Sequence, residues 1–182
     1  MKHFIVLILF CFLGNITFAQ NDNPKEITPE ILKKIKAEVE LQIPKFKKSL
    51  LKQNFNTKEI EFAVDTFRIE RITAKRIHID YSTAGMSNSV NELTVLYDQL
   101  LNKYYNKLMK LLLPEDKKAL IKTQRAWLVF RDTESNFASV MSDDEYSGGG
   151  SMQSNARSGA YCGLVTDRTI EIFHYYNRII KQ

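Results

Sequence analysis

Between positions 93 and 112 leucine or tyrosine returns every three or four residues, and no other feature constrains the chain as much. Leu93, Leu96, Leu100, Tyr104, Leu108 and Leu111 form one stripe, widened by Tyr97, Leu101, Tyr105 and Leu112. That period predicts an amphipathic helix whose apolar side other elements must cover. Pro114 ends it and suits the first position of another helix, with Glu115 and Asp116 placed to favour the new N-terminal dipole. So short a connection predicts an antiparallel pair. The second helix, over 115–141, carries Leu120, Trp127, Phe130, Phe137 and Met141, which are expected to face inward together.

The remaining segments read the same way. Thr28 caps a helix that Pro29 and Glu30 open, with Ile31, Ile35, Val39 and Ile43 at four-residue spacing; Pro44 is expected to kink or restart it before it ends near Gln53. Asn56 and Glu59 form a capping box ahead of a helix over 57–81 carrying Ile60, Ala63, Phe67, Ala74, Ile77 and Tyr81. A strand over 76–81 also fits the alternation there, but helix is preferred because no partner strand is evident. Residues 82–89 (STAGMSNS) read as a turn-rich break, and residues 142–153 (SDDEYSGGGSMQ) as a flexible loop. A last helix over 155–180 turns Tyr161, Leu164, Ile172, Tyr176 and Ile179 inward, with Gly159 and Gly163 weakening its start unless a neighbour packs closely there. The expected fold is all-α: a single domain of four or five helices, antiparallel and bundle-like. Its organisation is 1–19 as a leader, 20–81 as a helical extension and 82–182 as the main helical part.

The leader reading rests on Lys2, an apolar stretch over 4–13, and small residues ending at Ala19. This is the layout of a cleavable secretory signal, too short to span a bilayer, with cleavage expected after Ala19. Cys11 lies inside the apolar stretch behind the bulky Phe10, which argues against a lipoprotein. The expected location is periplasmic or secreted, with no stable membrane insertion after cleavage. Cys162 is then the sole remaining cysteine, so no intrachain disulfide is expected and packing must hold the domain together. A small buried hydrophobe is the favoured role for Cys162, ahead of an intermolecular disulfide or a catalytic thiol.

Residues 1–19 hold Lys2 and no acid, so the 26 basic and 21 acidic residues of the whole chain become 25 and 21. This excess is too small and too interspersed for a nucleic-acid footprint, and no nucleic-acid partner is expected. Neither His78 nor His174 has ligand spacing around it, and Asp143, Asp144 and Glu145 are consecutive rather than spaced as in a calcium loop, so no metal site or cofactor is expected. Gly148, Gly149 and Gly150 lack the strand and lysine of a phosphate-binding loop; a hinge or a close approach is the better reading. No nucleophile elbow appears, and Cys162 has no local histidine, so no catalytic residue is assigned and the chain is read as a non-enzyme. A hydrolase would need His174 or His78 brought beside Cys162 or a serine. Gln124, Arg125, Trp127, Arg131 and Asp132 crowd one helix. Arg125 or Arg131 is expected to pair with Asp98 or Asp132, or to stack on Trp127, in a polar network that fixes helix register.

These last residues also carry a resemblance. Asp98-Gln99-Leu100-Leu101-Asn102 with Tyr104, Tyr105 and Leu108 resembles a D-x-x-L-N-x-x-Y-x-x-L pattern with one residue inserted. Gln124-Arg125-Ala126-Trp127-Leu128 followed by Phe130-Arg131-Asp132 resembles a Q-R-A-W-I-x-[FY]-R-D motif. Gly149-Gly150-Ser151 is similar to a Gly-Gly-Ser turn, and Cys162 with Leu164, Thr166 and Arg168 to a closing C-x-x-x-L-T-x-x-R segment shortened between Cys and Leu. In this order they resemble the LprI-type lysozyme inhibitor N-terminal domain family, over about residues 82–178.

The resemblance implies an exported, largely helical, non-catalytic binding protein whose partner is lysozyme or another cell-wall hydrolase. Where the family pattern has two further cysteines, this chain has Ser89 and Ser135, so Cys162 loses the partner the pattern implies. Asp98, Asn102, Gln124, Arg125, Trp127, Arg131, Asp132, Cys162 and Arg168 carry the motifs, with structural roles expected. Common lysozymes are basic, and a basic binder needs a locally acidic contact patch. Asp143, Asp144 and Glu145 beside Tyr146 supply the one such patch, with Tyr146 as a rigid anchor. The alternative is an envelope-associated interaction module without lysozyme inhibition, using its basic N-terminal helices on anionic surfaces.

Overall fold

A computed structural model describes residues 23–179, and all of their regular structure is helical. The leader, its cleavage point after Ala19, and Cys11 lie outside the described residues. The helices are α1 (Pro29–Lys52), α2 (Thr57–Ile79), α3 (Thr83–Leu111), α4 (Pro114–Val140), the single turn α5 (Asp144–Ser147) and α6 (Met152–Arg178). The N-terminal caps form as local chemistry requires. Thr28 Oγ1 accepts from the Ile31 amide at 3.3 Å; Asn56 Oδ1 accepts from the Glu59 amide at 3.0 Å while the Asn56 amide donates back to Glu59 Oε2 at 2.8 Å.

Contacts between helices set the order α1, α2, α3, α6, α4 across the bundle. Each pair of neighbours is antiparallel except α3 and α6. These two run parallel, with Ser87 against Asn155 at one end and Tyr104 against Tyr176 at the other. α6 inserts between α3 and α4, so these two helices, consecutive in sequence, are not neighbours over most of their length. The main core joins Leu101, Tyr104 and Leu108 of α3, Leu120 of α4, and Ile172 and Phe173 of α6. Phe62 of α2 stacks on Phe173 with ring centroids 3.9 Å apart, and Tyr104 meets both rings edge-on. A second cluster, Ile69, Tyr97 and Val165, continues the seam, and Trp127 touches both clusters. Ile35, Val39 and Ile72 close α1 onto α2.

Four expectations are corrected. α1 runs through Pro44 without restarting: the proline is exposed, and Glu40, whose carbonyl loses its donor, is exposed to water. Residues 82–89 are no break but the first two turns of α3. Ser82 caps it, accepting from the Gly85 amide at 3.0 Å, and Ser89 is buried at the base of the α3–α6 seam. Gly85 is needed here, because a Cβ would lie 2.1 Å from Cγ of Asp80, which itself accepts from the Ser82 hydroxyl at 2.6 Å. The segment 142–153 is not loop throughout: it includes α5, closed by Gly148 in the left-handed region with its amide on the Asp144 carbonyl at 3.0 Å, and the start of α6. Finally, α4 turns only Leu120 and Trp127 of its expected inner face to the core, while Phe130, Phe137 and Met141 point to solvent. Leu120 and Trp127 lie on the side that reaches the clusters, whereas the other three lie up to about a quarter of a turn round the cylinder, on a flank that α6 does not cover. The 76–81 ambiguity resolves as helix to Ile79, capped by Asp80. No heavy atom approaches Gly159 or Gly163, so no close packing offsets their cost in α6.

Candidate functional site

Two separate places gather the residues singled out from the sequence. The first is the facing surface of α4 and α6. Arg168 is 4% exposed, its Nε donates to Gln124 Oε1 at 2.9 Å, and it pairs with Glu171 one turn on. Its guanidinium lies 5.9 Å from the Trp127 ring, and that of Arg131 lies 5.4 Å from the same ring and 5.7 Å from Tyr161. Arg131 also donates to Asp132 Oδ1 at 2.7 Å. Trp127 is therefore flanked by two cations, and the bond from Arg168 Nε to Gln124 ties α6 to α4 at this point. Asp98 and Asn102 bond each other on α3, away from this cluster, with Asn102 Nδ2 donating to Asp98 Oδ2 at 3.1 Å. Arg125 is exposed. Cys162 is buried, its Sγ 3.9 Å from Thr166 Oγ1. Ser135 lines a crevice between α4 and α6 with Arg157 and Tyr161, and the Ser89 hydroxyl is buried without a hydrogen-bond partner.

Sequence reasoning missed Glu171 and Tyr161 as partners in this cluster. The three-residue separation of Arg168 and Glu171 was a readable signal, since such pairs meet on one helix face. It also missed the network beneath Tyr104. That phenol, fully buried, donates to Asp65 Oδ2 at 2.7 Å; Lys103 bridges Asp65 and Glu61, and Lys107 adds a bond to Glu61. Burial pushes the Tyr104 hydroxyl far above the ordinary phenol range, helped by the Asp65 carboxylate, and Tyr97 is raised by burial and by Glu70. Both phenols stay neutral donors at any physiological pH.

Burial alone would raise the carboxyls of Glu61 and Glu171, but bonds from Lys107 and Lys103 in the first case and from Arg168 in the second outweigh it and hold both below their usual value. A carboxylate depressed in the folded state gives stability that is full above its unfolded pKa, about 4.3, and is lost as pH falls through the folded value. The thermal unfolding midpoint is therefore expected to hold between pH 7 and 5 and to fall below pH 4. A midpoint that rises in acid contradicts this account.

The second place is the tip where α4 ends. Asp143, Asp144, Glu145 and Tyr146 are all exposed, Tyr146 by 58%. The tip is built rather than loose. Ser147 Oγ donates to the Ser142 carbonyl at 3.0 Å, and the Gly149 amide donates to Ser147 Oγ at 3.0 Å. Gly148, Gly149 and Gly150 all have positive φ, and a Cβ on Gly149 would lie 2.7 Å from Asp144 Oδ1. Asp143 and Asp144 line an open groove of about 630 Å³ whose other walls include Thr83 and Ala84 at the start of α3 and Ser154 and Arg157 of α6.

No group of His, Cys, Asp and Glu among the described residues could hold a metal ion. His174 sits in a shallow groove with Asp167, Glu171 and Tyr175, and neither a serine nor a cysteine lines it. Residues 79–172, covering the Trp127 cluster and the acidic tip alike, match the model of the lysozyme inhibitor LprI family. The chain belongs to that family. The match begins where α2 gives way to α3, so the LprI region comprises α3 to α6 without the last turns of α6, and α1 with most of α2 precedes it. No curated protein and no solved structure matches the chain. No helix among the described residues is long and apolar enough to cross a membrane.

Proposed function

We propose that this LprI-family chain is an exported, non-catalytic protein that binds lysozyme or a related cell-wall hydrolase and blocks it stoichiometrically, with the acidic tip as the contact. Family membership over α3 to α6 carries the reading. The tip supports it. Three carboxylates flank an exposed tyrosine on a turn fixed by its own hydrogen bonds, so little ordering cost falls on binding. A cationic enzyme surface is attracted to such a patch even though the chain as a whole carries +5.

The test is a cell-wall clearing assay with the chain lacking residues 1–19. Inhibition near a one-to-one ratio is expected. Changing Asp143, Asp144 and Glu145 together to alanine is expected to weaken it by about tenfold or more, because each lost charged contact is worth on the order of 1 kcal/mol or more. Unchanged inhibition by the triple variant would remove the tip from the contact. No inhibition by the parent chain, together with salt-sensitive sedimentation on isolated cell walls, would favour the envelope-module reading instead.

A further inference from the structure

The outer face of α4 is apolar and uncovered. Val129, Phe130 and Phe137 are 66%, 52% and 59% exposed, and Val140 and Met141 are about half exposed. With Ala126 and Thr133 they form a stripe without a charge between Lys122 and Asp143. Single exposed hydrophobes are ordinary; a continuous stripe along four turns of one helix is a docking surface.

We infer that this stripe pairs with the same stripe of a second copy, about a two-fold axis at Thr133, as an antiparallel α4–α4 contact. Two features point to a copy of this chain rather than a foreign partner. The first is spacing. Ala126, Val129, Thr133, Phe137 and Val140 are separated by 3, 4, 4 and 3 residues, a heptad-like seam within α4 that reads the same from both ends. A two-fold contact requires this self-complementarity: Val129 meets Phe137 of the other copy, Ala126 meets Val140, and Thr133 meets itself. The second is charge. The first half of α4 carries Lys117, Lys118, Lys122 and Arg125 against Glu115 and Asp116, while the second half with α5 carries Asp132, Glu134, Asp143, Asp144 and Glu145 against Arg131. Antiparallel pairing sets the basic end of each copy on the acidic end of the other and opposes the two helix dipoles; parallel pairing would set like on like. The tip then serves two contacts, so the dimer competes with lysozyme binding.

Sedimentation equilibrium of the chain lacking residues 1–19, without lysozyme, tests this apart from any inhibitory activity. Twice the chain mass is expected, falling to the single mass on dilution. Phe137→Glu is expected to give the single mass throughout with unchanged helical circular dichroism, since the side chain is exposed. Val129→Glu should likewise weaken self-association by about tenfold or more, and Val129→Glu combined with Phe137→Lys should restore it in part, because the two positions meet across the axis. A parent chain that stays at the single mass overturns the inference, as does a dimer indifferent to Phe137→Glu. If the parent is monomeric and Phe137→Glu instead abolishes lysozyme inhibition, the stripe belongs to the lysozyme contact and self-pairing is wrong.

Discussion

Replacing Tyr104 by alanine is expected to destabilise the fold by about 3–5 kcal/mol, the range for removing a buried aromatic ring. The ring is fully buried at the point where α2, α3 and α6 meet, edge-on to Phe62 and to Phe173, so the cavity left behind is walled by rigid side chains that collapse poorly. The substitution also strips one donor from Asp65, which keeps its bond from Lys103. Tyr104→Phe isolates that part: it preserves ring packing and is expected to cost about 1.5–3 kcal/mol, the worth of a hydrogen bond to a charged group. Urea unfolding of the two variants beside the parent gives both numbers. Equal costs for the two variants would mean that the hydroxyl, not the ring, holds the junction, contrary to the packing argument.

Trp127→Ala is expected to have a comparable cost, about 2–4 kcal/mol for a large, partly buried ring, but a different distribution. α4 lies at one edge of the bundle. It meets α6 and little else, it buries Leu120 fully and Trp127 partly, and its polar tie is Gln124 to Arg168. Losing the indole removes the one side chain that links α4 to both core clusters and the ring against which Arg131 and Arg168 lie. An amphipathic helix without its docking face has little stability of its own in water. Hydrogen exchange is therefore expected to show α4 amides opening locally, while amides of α3 and α6 stay protected at near the parent level. Uniform loss of protection across all three helices would show that α4 unfolds only with the whole domain. Because the acidic tip hangs from the end of α4, the same variant is expected to lose the proposed inhibitory contact along with α4 protection.

The helix starts were legible because their chemistry is local. The Thr28 and Asn56 caps each act over three residues, and the sequence contains both partners. The stripe from Leu93 to Leu111 was legible for the same reason, and its central member Tyr104 is the most buried large side chain. The sequence crowds Gln124, Arg125, Trp127, Arg131 and Asp132 on one helix and leaves Arg168 in a separate segment; the pairing of Gln124 with Arg168 joins positions 44 apart, and no spacing rule reaches that far. The acidic tip was visible as composition; that it is a fixed turn follows from three positive-φ glycines and a serine bonded backwards, which composition does not reveal.

The chain by itself thus determined that it is helical, where most helices begin, and that the region from Ser82 onward belongs with the LprI family. Tertiary structure decided three things: that Thr83 to Ser89 is helix, that α6 inserts between α3 and α4, and which side of α4 faces in. The physical reason is common to all three. Small polar residues such as Ser87 and Ser89 favour helix only when a partner surface buries them, and α4 is apolar on two sides, with Leu120 and Trp127 on one and Val129, Phe130 and Phe137 on the other. Local periodicity ranks those sides alike; the choice falls to a helix that enters the chain only at Met152 and brings Arg168 to meet Gln124.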